Sequence, residues 1–537
     1  MDPARRGTYD AHAADELTTD AGRAAAATMV SRIAGLAREQ VLAAVFGAGH
    51  EMDAFVVAFR IPNLLRDLFA EGAMSSAFVP TFTRALTLEG KPVAWALARN
   101  VLTALALTTG LITAAGMIWA EPLVSHYATT FATTPGKLAL TITLARVMAP
   151  FLVLAALAAA VMGMLNALRH YFIPALSPAT FNVATIACAL GLTPLMPMLG
   201  LPRIMAVAIG TVTGGILQVA VQWPLLQREG FRFTPRFAPR DPGLREILLL
   251  MGPGTLGLAA TQVNLFVSTL LATSQGPGAV SWLQYAFRIM YLPLGLFGAS
   301  VATAVLPAAA RHIAVQDRSA VRRTVSHGLR LMLAVSLPAM CGLLLLAPDI
   351  VRLLLQRGHF TASDTAATAF ALRCYAAGLV GFAASRITSP VFYALRRTHI
   401  PVLLSTASIV VNLGASLVFV RALGYGGLAL ATSVAACVHA LLSVWWLRAE
   451  IGGLQGYDLL HTFGKTVGAT SVMGSVVWGT RAGLGLVVST SYAAGQGVVL
   501  LASIAAGVAA LMGCASVLRL EELGAVLDAA RRTLIRR

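Results

Sequence analysis

An apolar stretch near the start of the chain carries polar side chains that a membrane-spanning helix accepts only at a cost. Residues 53–84 are hydrophobic enough to enter a bilayer, yet their first part, 53–71, contains six charged or amide side chains. These are Asp53, Arg60, Asn63, Arg66, Asp67 and Glu71. A centrally placed Asp or Arg costs roughly 2.5–3.5 kcal/mol to insert, so such groups usually face protein or a water-filled cavity. The segment is therefore expected to line a functional cavity, with Pro62 kinking its helix.

The charges of this segment divide between two faces of the helix. Their spacing puts Asp53, Arg60 and Glu71 on one face, where they partly neutralise one another. Arg66 lies well away from that face and is interpreted as the freer cation. Asp53, Arg60, Asn63 and Glu71 are therefore assigned a supporting role, as ion-pair and polar neighbours within the cavity.

The same segment occurs a second time in the chain. The tripeptide FRI at 59–61 returns at 287–289, and NALRHYFIPAL at 166–176 returns as YALRRTHIPVL at 393–403. Two matches at nearly one offset predict a duplicated helical bundle, an arrangement that transporters use to build a central site. The acids of the first copy are missing from the second, so Arg288 has no acid of its own repeat.

Composition places the chain among polytopic membrane proteins. It has 537 residues, of which 57% are hydrophobic and 12% charged, and its net charge is +17. Few residues remain for a soluble domain. The basic residues lie at the ends of apolar runs, so topology explains the charge better than nucleic acid does. The five cysteines have no metal-ligand spacing and are interpreted as packing residues.

Fourteen apolar runs reach the length of about 20 residues that spans a bilayer. The repeat offset maps the second run onto the eighth and the fourth onto the tenth. The predicted fold is thus an all-α polytopic membrane protein with 14 transmembrane helices, in two pseudo-symmetric six-helix lobes plus two extra C-terminal helices. The expected parts are a disordered tail (1–25), an N-lobe (26–226), a C-lobe (227–447), helices 13 and 14 (448–518) and a basic amphipathic tail (519–537). The termini share a side with 26 of the 40 Lys and Arg residues, which makes both cytoplasmic.

Eight arginines lie inside the apolar runs, where they outnumber the acids. Arg146, Arg373 and Arg386 lie fairly near the ends of their runs and are interpreted as structural residues. Arg146 and Arg373 are also equivalent in the repeat, which fits a shared structural role.

Four arginines of the first, second and eighth runs carry the functional prediction. They are Arg32, Arg38, Arg66 and Arg288. Arginine suits the planar, bidentate capture of phosphate or carboxylate better than lysine does. These four residues are therefore predicted to bind an anionic cargo, foremost a phosphate.

The sequence motifs of common enzyme chemistries do not occur in the chain. There is no GxxxxGK[ST] loop, no HExxH and no GxSxG. A membrane-embedded transferase would need acids near the outer surface, where only scattered ones such as Glu121, Asp349 and Asp364 occur. No catalytic residue, cofactor or metal site is predicted.

With these residues in view, the chain resembles the MurJ (MviN) family of lipid II flippases, within the multidrug/oligosaccharidyl-lipid/polysaccharide exporter superfamily. The motifs that carry the resemblance lie at 31–49, 53–80, 285–298, 354–364 and 392–402. The first two read SRIAGLAREQVLAAVFGAG and DAFVVAFRIPNLLRDLFAEGAMSSAFVP. The resemblance implies two lobes around a cationic cavity and a groove for a polyprenyl tail between helices 13 and 14.

The resemblance also implies a cargo and its ligands. The cargo would be lipid II, the undecaprenyl-diphosphate-linked MurNAc-pentapeptide-GlcNAc precursor of peptidoglycan. The arginines that bind the headgroup in this family fall on the four chosen above. The acids of the family's second helix fall on Asp53 and Glu71. Some members use acids of helices 7 and 11 as a sodium site, but here the central parts of spans 7, 11 and 12 contain Asn264 and Asn412 and no Asp or Glu, which argues against sodium coupling.

The expected function is alternating access in the bacterial inner membrane, moving lipid II from the inner to the outer leaflet without acting as an enzyme. Expected partners are the membrane and the cell-wall synthesis machinery, with no nucleic acid. Three alternatives stay open at this point. They are a flippase for another polyprenyl-linked saccharide, a drug/cation antiporter, which would need acids in its cavity, and a transport-dead membrane scaffold.

Overall fold

Helices make up the regular structure of the computed structural model, which describes residues 3–69, 77–488, 492–520 and 522–524. Within these ranges eight stretches are long and apolar enough to cross a membrane, and a bent pair of helices would add a ninth. The expected all-helical, multi-span class is thus confirmed, while the count of fourteen stays a prediction. Glu71 and most of the tail at 519–537 lie outside the described residues.

The helices follow the order of the predicted duplication. The first copy contains α1 (Pro3–Phe46), α2 (His50–Asp67), α3 (Val79–Leu88), α4 (Lys91–Ile118), α5 (Ala120–Tyr127), α6 (Lys137–Met148), α7 (Phe151–Ala167), α8 (Phe172–Gly191) and α9 (Met205–Arg228). The second copy contains α10 (Pro242–Thr273), α11 (Ala279–Pro293), α12 (Ala299–Ala314), α13 (Arg318–Leu355), α14 (Ala362–Ala376), α15 (Leu379–Ala394), α16 (His399–Leu423) and α17 (Tyr425–Glu450). Two more helices follow, α18 (Gly456–Val487) and α19 (Ala493–Val517).

The chain forms two compact units. The first unit is Met1–Gln262 with Arg357–His359, and the second is Val263–Gln356 with Phe360–Arg537. The division between them falls inside α10. In the first unit, buried aromatic rings of α3, α4 and the segment after α9 form the core. In the second unit, α18 and α19 pack on α13 through Met473, Val477 and Leu500.

One expectation for the amino terminus needs correction. Residues 3–25 were expected to be a disordered tail, but they are the first part of the continuous helix α1. The segment is rich in alanine, which has the highest intrinsic helix propensity.

Two loops show the duplication in their backbone geometry. Arg169 and Arg396, which are 227 positions apart, both have positive φ angles, 64° and 60°. The next residue in each case closes the turn, because the amide of His170 donates to Leu165 O and that of Arg397 to Phe392 O, each over 2.9 Å. Left-handed backbone is uncommon for arginine and is typical of the residue that ends a helix. At these two loops, the repeat in the sequence corresponds to a repeat in the backbone geometry.

The arginines interpreted as structural have structural partners. Nε of Arg146 donates to the carbonyl of Met117 over 3.2 Å, and Nε of Arg373 donates to the carbonyl of Leu344 over 3.1 Å. Donor and acceptor are separated by 29 residues in both copies. The guanidinium of Arg386 lies 5.1 Å from the ring centroid of Tyr291. All three residues thus have partners within the protein, and their structural role stays a prediction.

The second helix of the second copy changes its geometry near its middle. α11 ends at Pro293, and a π-helical turn at Leu294–Gly298 joins it to α12. In the first copy, residues 68–69 and 77–78 also have π-helical geometry. Proline removes an amide donor, and π turns are frequent at functional sites. In the second copy, the predicted cavity segment therefore contains a π-helical turn, whereas residues 70–76 of the first copy lie outside the described residues.

Candidate functional site

Helix α1 presents Arg32 and Arg38 in different surroundings. The side chain of Arg32 is exposed, and no charged group of the described residues pairs with it. Arg38 is only 12% exposed, and its Nη2 donates to Oε1 of the adjacent Glu39 over 2.6 Å. Its guanidinium also lies 5.5 Å from the ring centroid of Phe181 on α8.

The bond to Glu39 satisfies only part of the Arg38 guanidinium. A guanidinium has five N–H donors. Nε of Arg38 is buried and has no hydrogen-bond acceptor in the described part of the chain. A buried donor without an acceptor carries a desolvation cost of about 1–3 kcal/mol, more when the group is charged. Arg38 therefore keeps an unused donor that an anionic ligand could satisfy.

A buried ion pair fixes the start of α2. Nζ of Lys137, the first residue of α6, donates to Oδ2 of Asp53 over 2.9 Å, and their side chains are 3% and 0% exposed. The Lys137 ammonium also lies 4.1 Å from the ring centroid of Phe131. The sequence had suggested that Asp53 shares a face with Arg60 and had named no partner for it on another helix. Lys137 is a buried partner that sequence reasoning missed.

The remaining polar residues of α2 lie toward its end. Arg60 and Asn63 are half-buried. Nε and Nη2 of Arg66 both donate to Oδ1 of the adjacent Asp67. The other oxygen of Asp67 accepts from Nε2 of Gln262 over 3.0 Å. The interpretation of Arg66 as the freer cation is therefore wrong, because a neighbouring carboxylate already holds it.

The fourth predicted ligand, Arg288, belongs to the second unit. It lies on α11, and its side chain is exposed. Within the described part of the first unit, Arg32, Arg38 and Arg66 share no ion-pair or hydrogen-bond partner with one another. Arg32, Arg38 and Arg66 thus each have different neighbours, and their common role as ligands stays a prediction.

Asparagines stand where the resemblance implies a sodium site. Nδ2 of Asn412 donates to Oδ1 of Asn264 over 2.7 Å and to the Ser268 hydroxyl over 3.1 Å. The Thr432 hydroxyl donates to the remaining oxygen of Asn412 over 3.4 Å. The cluster has no carboxylate, and an amide N–H group points at the oxygens that would otherwise face a cation. These residues do not fit a sodium ion, and none of the described residues form a cluster of three or more His, Cys, Asp or Glu that could hold a metal.

The all-helical fold with its apolar spans is that of a class of helical membrane transporters. A multidrug MATE transporter of the MOP superfamily in an inward-facing conformation has the same fold, with a TM-score of 0.66 at 17% identity over 79% of this chain and 94% of its own. A structure of the lipid II flippase MurJ in an inward-closed conformation gives a TM-score of 0.77 at 24% identity, covering 93% of this chain and 99% of that one.

Sequence comparison identifies the family. The family model described as lipid II flippase MurJ matches residues 42–501. The lipid II flippase MurJ of Burkholderia cenocepacia is 34% identical over 454 residues, which cover 84% of this chain and 87% of that protein. A probable lipid II flippase MurJ of Haemophilus influenzae is 34% identical over 477 residues, covering 84% of this chain and 90% of its own length. The chain belongs to the lipid II flippase MurJ family, and the resemblance drawn from its motifs is confirmed.

Proposed function

We propose that this protein moves lipid II from the inner to the outer leaflet of the bacterial inner membrane by alternating access. Membership of the family supports lipid II as the substrate. The arginines of α1, α2 and α11 support the proposal that cationic side chains bind its diphosphate. The observation that carries the proposal is the Nε atom of Arg38, which is buried and has no acceptor among the described residues. A diphosphate oxygen would supply the missing acceptor and a second charge-assisted bond.

Arg32 and Arg288 are proposed to meet the diphosphate from exposed positions. The side chains of both are exposed, so a bulky headgroup can reach them. Arginine at these positions offers two parallel N–H donors to one phosphate, which lysine does not.

Arg66 is proposed to bind by exchanging partners. Asp67 holds Arg66 in the absence of cargo, while Gln262 donates to the second oxygen of the same carboxylate. When a diphosphate displaces Asp67 from Arg66, the Asp67 carboxylate still accepts the hydrogen bond from Gln262. The Arg66 side chain is 35% exposed, so this exchange costs little, since partly exposed ion pairs contribute only about 0–1 kcal/mol.

The remaining steps of the proposed transport cycle are those expected of a transporter built from two repeats. The inward-open form takes the diphosphate onto the arginines, while the polyprenyl tail stays in the membrane beside α18 and α19. Rocking of the two lobes then exposes the headgroup to the other side. Pro62, Pro80, Pro293 and Pro307 are candidate bending points for this motion. Partners in the cell-wall synthesis machinery belong to the proposal as well.

The proposal is tested in a strain whose own lipid II flippase is depleted. Expression of this chain should restore the appearance of lipid II at the outer leaflet. Arg38→Ala and Arg288→Ala should abolish it, with the protein still present in the membrane at its normal level. Arg146→Ala and Arg373→Ala are matched controls, because these in-span arginines bond to helix carbonyls, and they should retain transport.

The outcomes separate the substrate from the site. Wild-type transport by both Arg38→Ala and Arg288→Ala would refute the arginine site while leaving the substrate untouched. Failure of the unmodified chain to export lipid II, together with export of another polyprenyl-linked saccharide, would refute the substrate. In the partner-exchange step, Asp67→Asn should tighten binding of a diphosphate lipid more than that of a monophosphate lipid, and equal effects would contradict it.

A further inference from the structure

An ordered, cationic segment without regular secondary structure follows α9. It comprises residues 231–241, named here the basic strap, and its residues 231–238 are neither helix nor strand. The strap contains three arginines four positions apart, Arg232, Arg236 and Arg240, all of them exposed. It connects a candidate membrane span (α9) to α10 and lies entirely in the first unit.

Its backbone is bonded to α4 in spite of its irregular geometry. The buried side chain of Asn100 makes two bonds to Ala238, since its Nδ2 donates to Ala238 O over 3.0 Å and its Oδ1 accepts from Ala238 N over 2.8 Å. The amide of Arg236 donates to the Thr103 hydroxyl over 3.1 Å. Both backbone groups of Ala238 thus bond to the side chain of Asn100. These two bonds fix the position of the strap along α4.

Aromatic packing anchors the beginning of the strap. Phe231 is fully buried, with ring centroids 5.2 Å from Trp95 and 6.0 Å from Trp223. Phe233 and Phe237 differ, because they are 41% and 57% exposed. The strap therefore buries one phenylalanine in the protein and presents two others, interleaved with arginines, on its outer side.

The level of the strap along α4 is set by Asn100. Residues 91–99 of α4 contain Lys91 and Arg99, whereas residues 101–118 contain no charged side chain. α4 is itself long and apolar enough to span a membrane. Asn100 therefore marks the boundary between the charged start of α4 and its apolar part. The boundary between polar headgroups and hydrocarbon is expected at this level.

The acids near the strap are engaged elsewhere. Glu229 pairs with Lys91 over 2.9 Å and with His170 over 2.8 Å, and Glu246 pairs with Arg84. Oδ1 of Asp241 accepts from the amide of Leu244 in the first turn of α10. In the part of the chain that the structure describes, Arg232, Arg236 and Arg240 have no carboxylate partner.

We infer that the basic strap is a lipid-binding surface that takes the phosphate groups of anionic phospholipids of the adjoining leaflet. The exposed phenylalanines insert at the headgroup boundary, and the three guanidinium groups bind phosphates beside them. A cation at an anionic membrane surface strengthens binding about fivefold, so three of them give a clear preference for anionic over zwitterionic lipid. This inference does not depend on the transported cargo.

The test compares hydrogen exchange of the strap in two lipid compositions. The full chain is placed in nanodiscs of phosphatidylcholine alone or of phosphatidylcholine with one part in four of phosphatidylglycerol. The anionic lipid should slow exchange of peptides covering 232–237 several-fold in the wild type. Arg232→Gln/Arg236→Gln/Arg240→Gln should lose that lipid dependence. The matched control Arg311→Gln/Arg318→Gln/Arg323→Gln removes the same charge from exposed arginines of the second unit and should retain it.

Two further measurements separate lipid binding from misfolding. The Ala238 amide donates to Asn100, so its protection from hydrogen exchange shows that the strap is bound to α4. This protection should be the same in every variant whose strap remains bound to α4. Phe233→Ser/Phe237→Ser should speed exchange at 232–237 in both lipid compositions, because it removes insertion and leaves the charges. If phosphatidylglycerol does not slow exchange in the wild type, or slows it equally in the strap triple variant, the inference is overturned. If a triple variant loses protection of the Ala238 amide, the single variant Arg236→Gln is tested in its place. Slowing of exchange at 232–237 by phosphatidylglycerol that equals the wild-type effect would then overturn the inference.

Discussion

Lys137 and Asp53 form a salt bridge of 2.9 Å that is almost wholly removed from the protein surface, with side chains 3% and 0% exposed. The pair joins the first turn of α2 to the first residue of α6. Two charges in such surroundings depend on each other, because either one alone would be a buried charge without a counter-ion.

The first prediction concerns this pair. Asp53→Asn and Lys137→Met should each lower the free energy of unfolding by about 3–5 kcal/mol, since each leaves one buried charge uncompensated. The double variant should recover most of the loss. Melting temperatures of the purified protein in detergent measure the effect. Lys91→Met, which breaks the more exposed pair with Glu229, is the control and should cost less than about 1 kcal/mol. A double variant no more stable than the single variants would contradict the interpretation.

The second prediction concerns the two copies of one hydrogen bond. Arg146→Gln and Arg373→Gln should each cost about 1 kcal/mol, because each removes a bond from a guanidinium to a helix carbonyl. The two losses should add in the double variant, since the bonds share no residue. Thermal melting of the three variants provides the measurement. Strongly unequal single losses would show that the bonds do not play equivalent roles.

The third prediction concerns sodium. Replacing sodium chloride by choline chloride should leave the melting temperature of the wild type unchanged, because Asn264 and Asn412 bond to each other and carry no charge. Asn264→Asp/Asn412→Asp should make the melting temperature depend on sodium, since two carboxylates beside Ser268 and Thr432 give a cation oxygen ligands. Potassium serves as the control ion. A wild type that sodium alone stabilises would refute this view of the cluster.

The fourth prediction concerns pH. Hydrogen bonds from His170 and Lys91 hold the pKa of the Glu229 carboxyl below its ordinary value of 4.5. A lowered pKa in the folded state stabilises the protein above the unfolded-state value, and that contribution disappears as the pH falls through the folded-state value. The wild type should therefore melt at a higher temperature than Glu229→Gln at pH 6. The two curves should converge as the pH drops below about 4.5, and a constant difference down to pH 3 would contradict the assignment.

Repeated sequence patterns predicted this structure better than the choice of single charged residues did. The match of 166–176 with 393–403 predicted equivalent loops, and Arg169 and Arg396 share an unusual backbone angle. Repeated sequence specifies repeated local interactions, so this level of structure could be read directly. The choice of Arg32, Arg38, Arg66 and Arg288 as ligands stays a prediction.

Partners distant in the sequence could not be predicted in the same way. Lys137 is 84 residues from Asp53, and Gln262 is 195 residues from Asp67. Helical periodicity shows which face a side chain occupies, but it does not show which other helix packs there. The one clue was that Lys137 is one of three lysines in a chain of 40 basic residues.

The sequence by itself determined the membrane class, the duplication and the family, because hydrophobic length, internal repetition and motif spacing are properties of the chain before it folds. The tertiary structure alone decided which charges are neutralised. Asp67 holds Arg66, Lys137 holds Asp53, and Arg38 keeps an unused donor beside Glu39. The physical reason is that an ion pair in a low-dielectric interior depends on ångström-scale distances and on desolvation, and both are fixed only when the helices pack together.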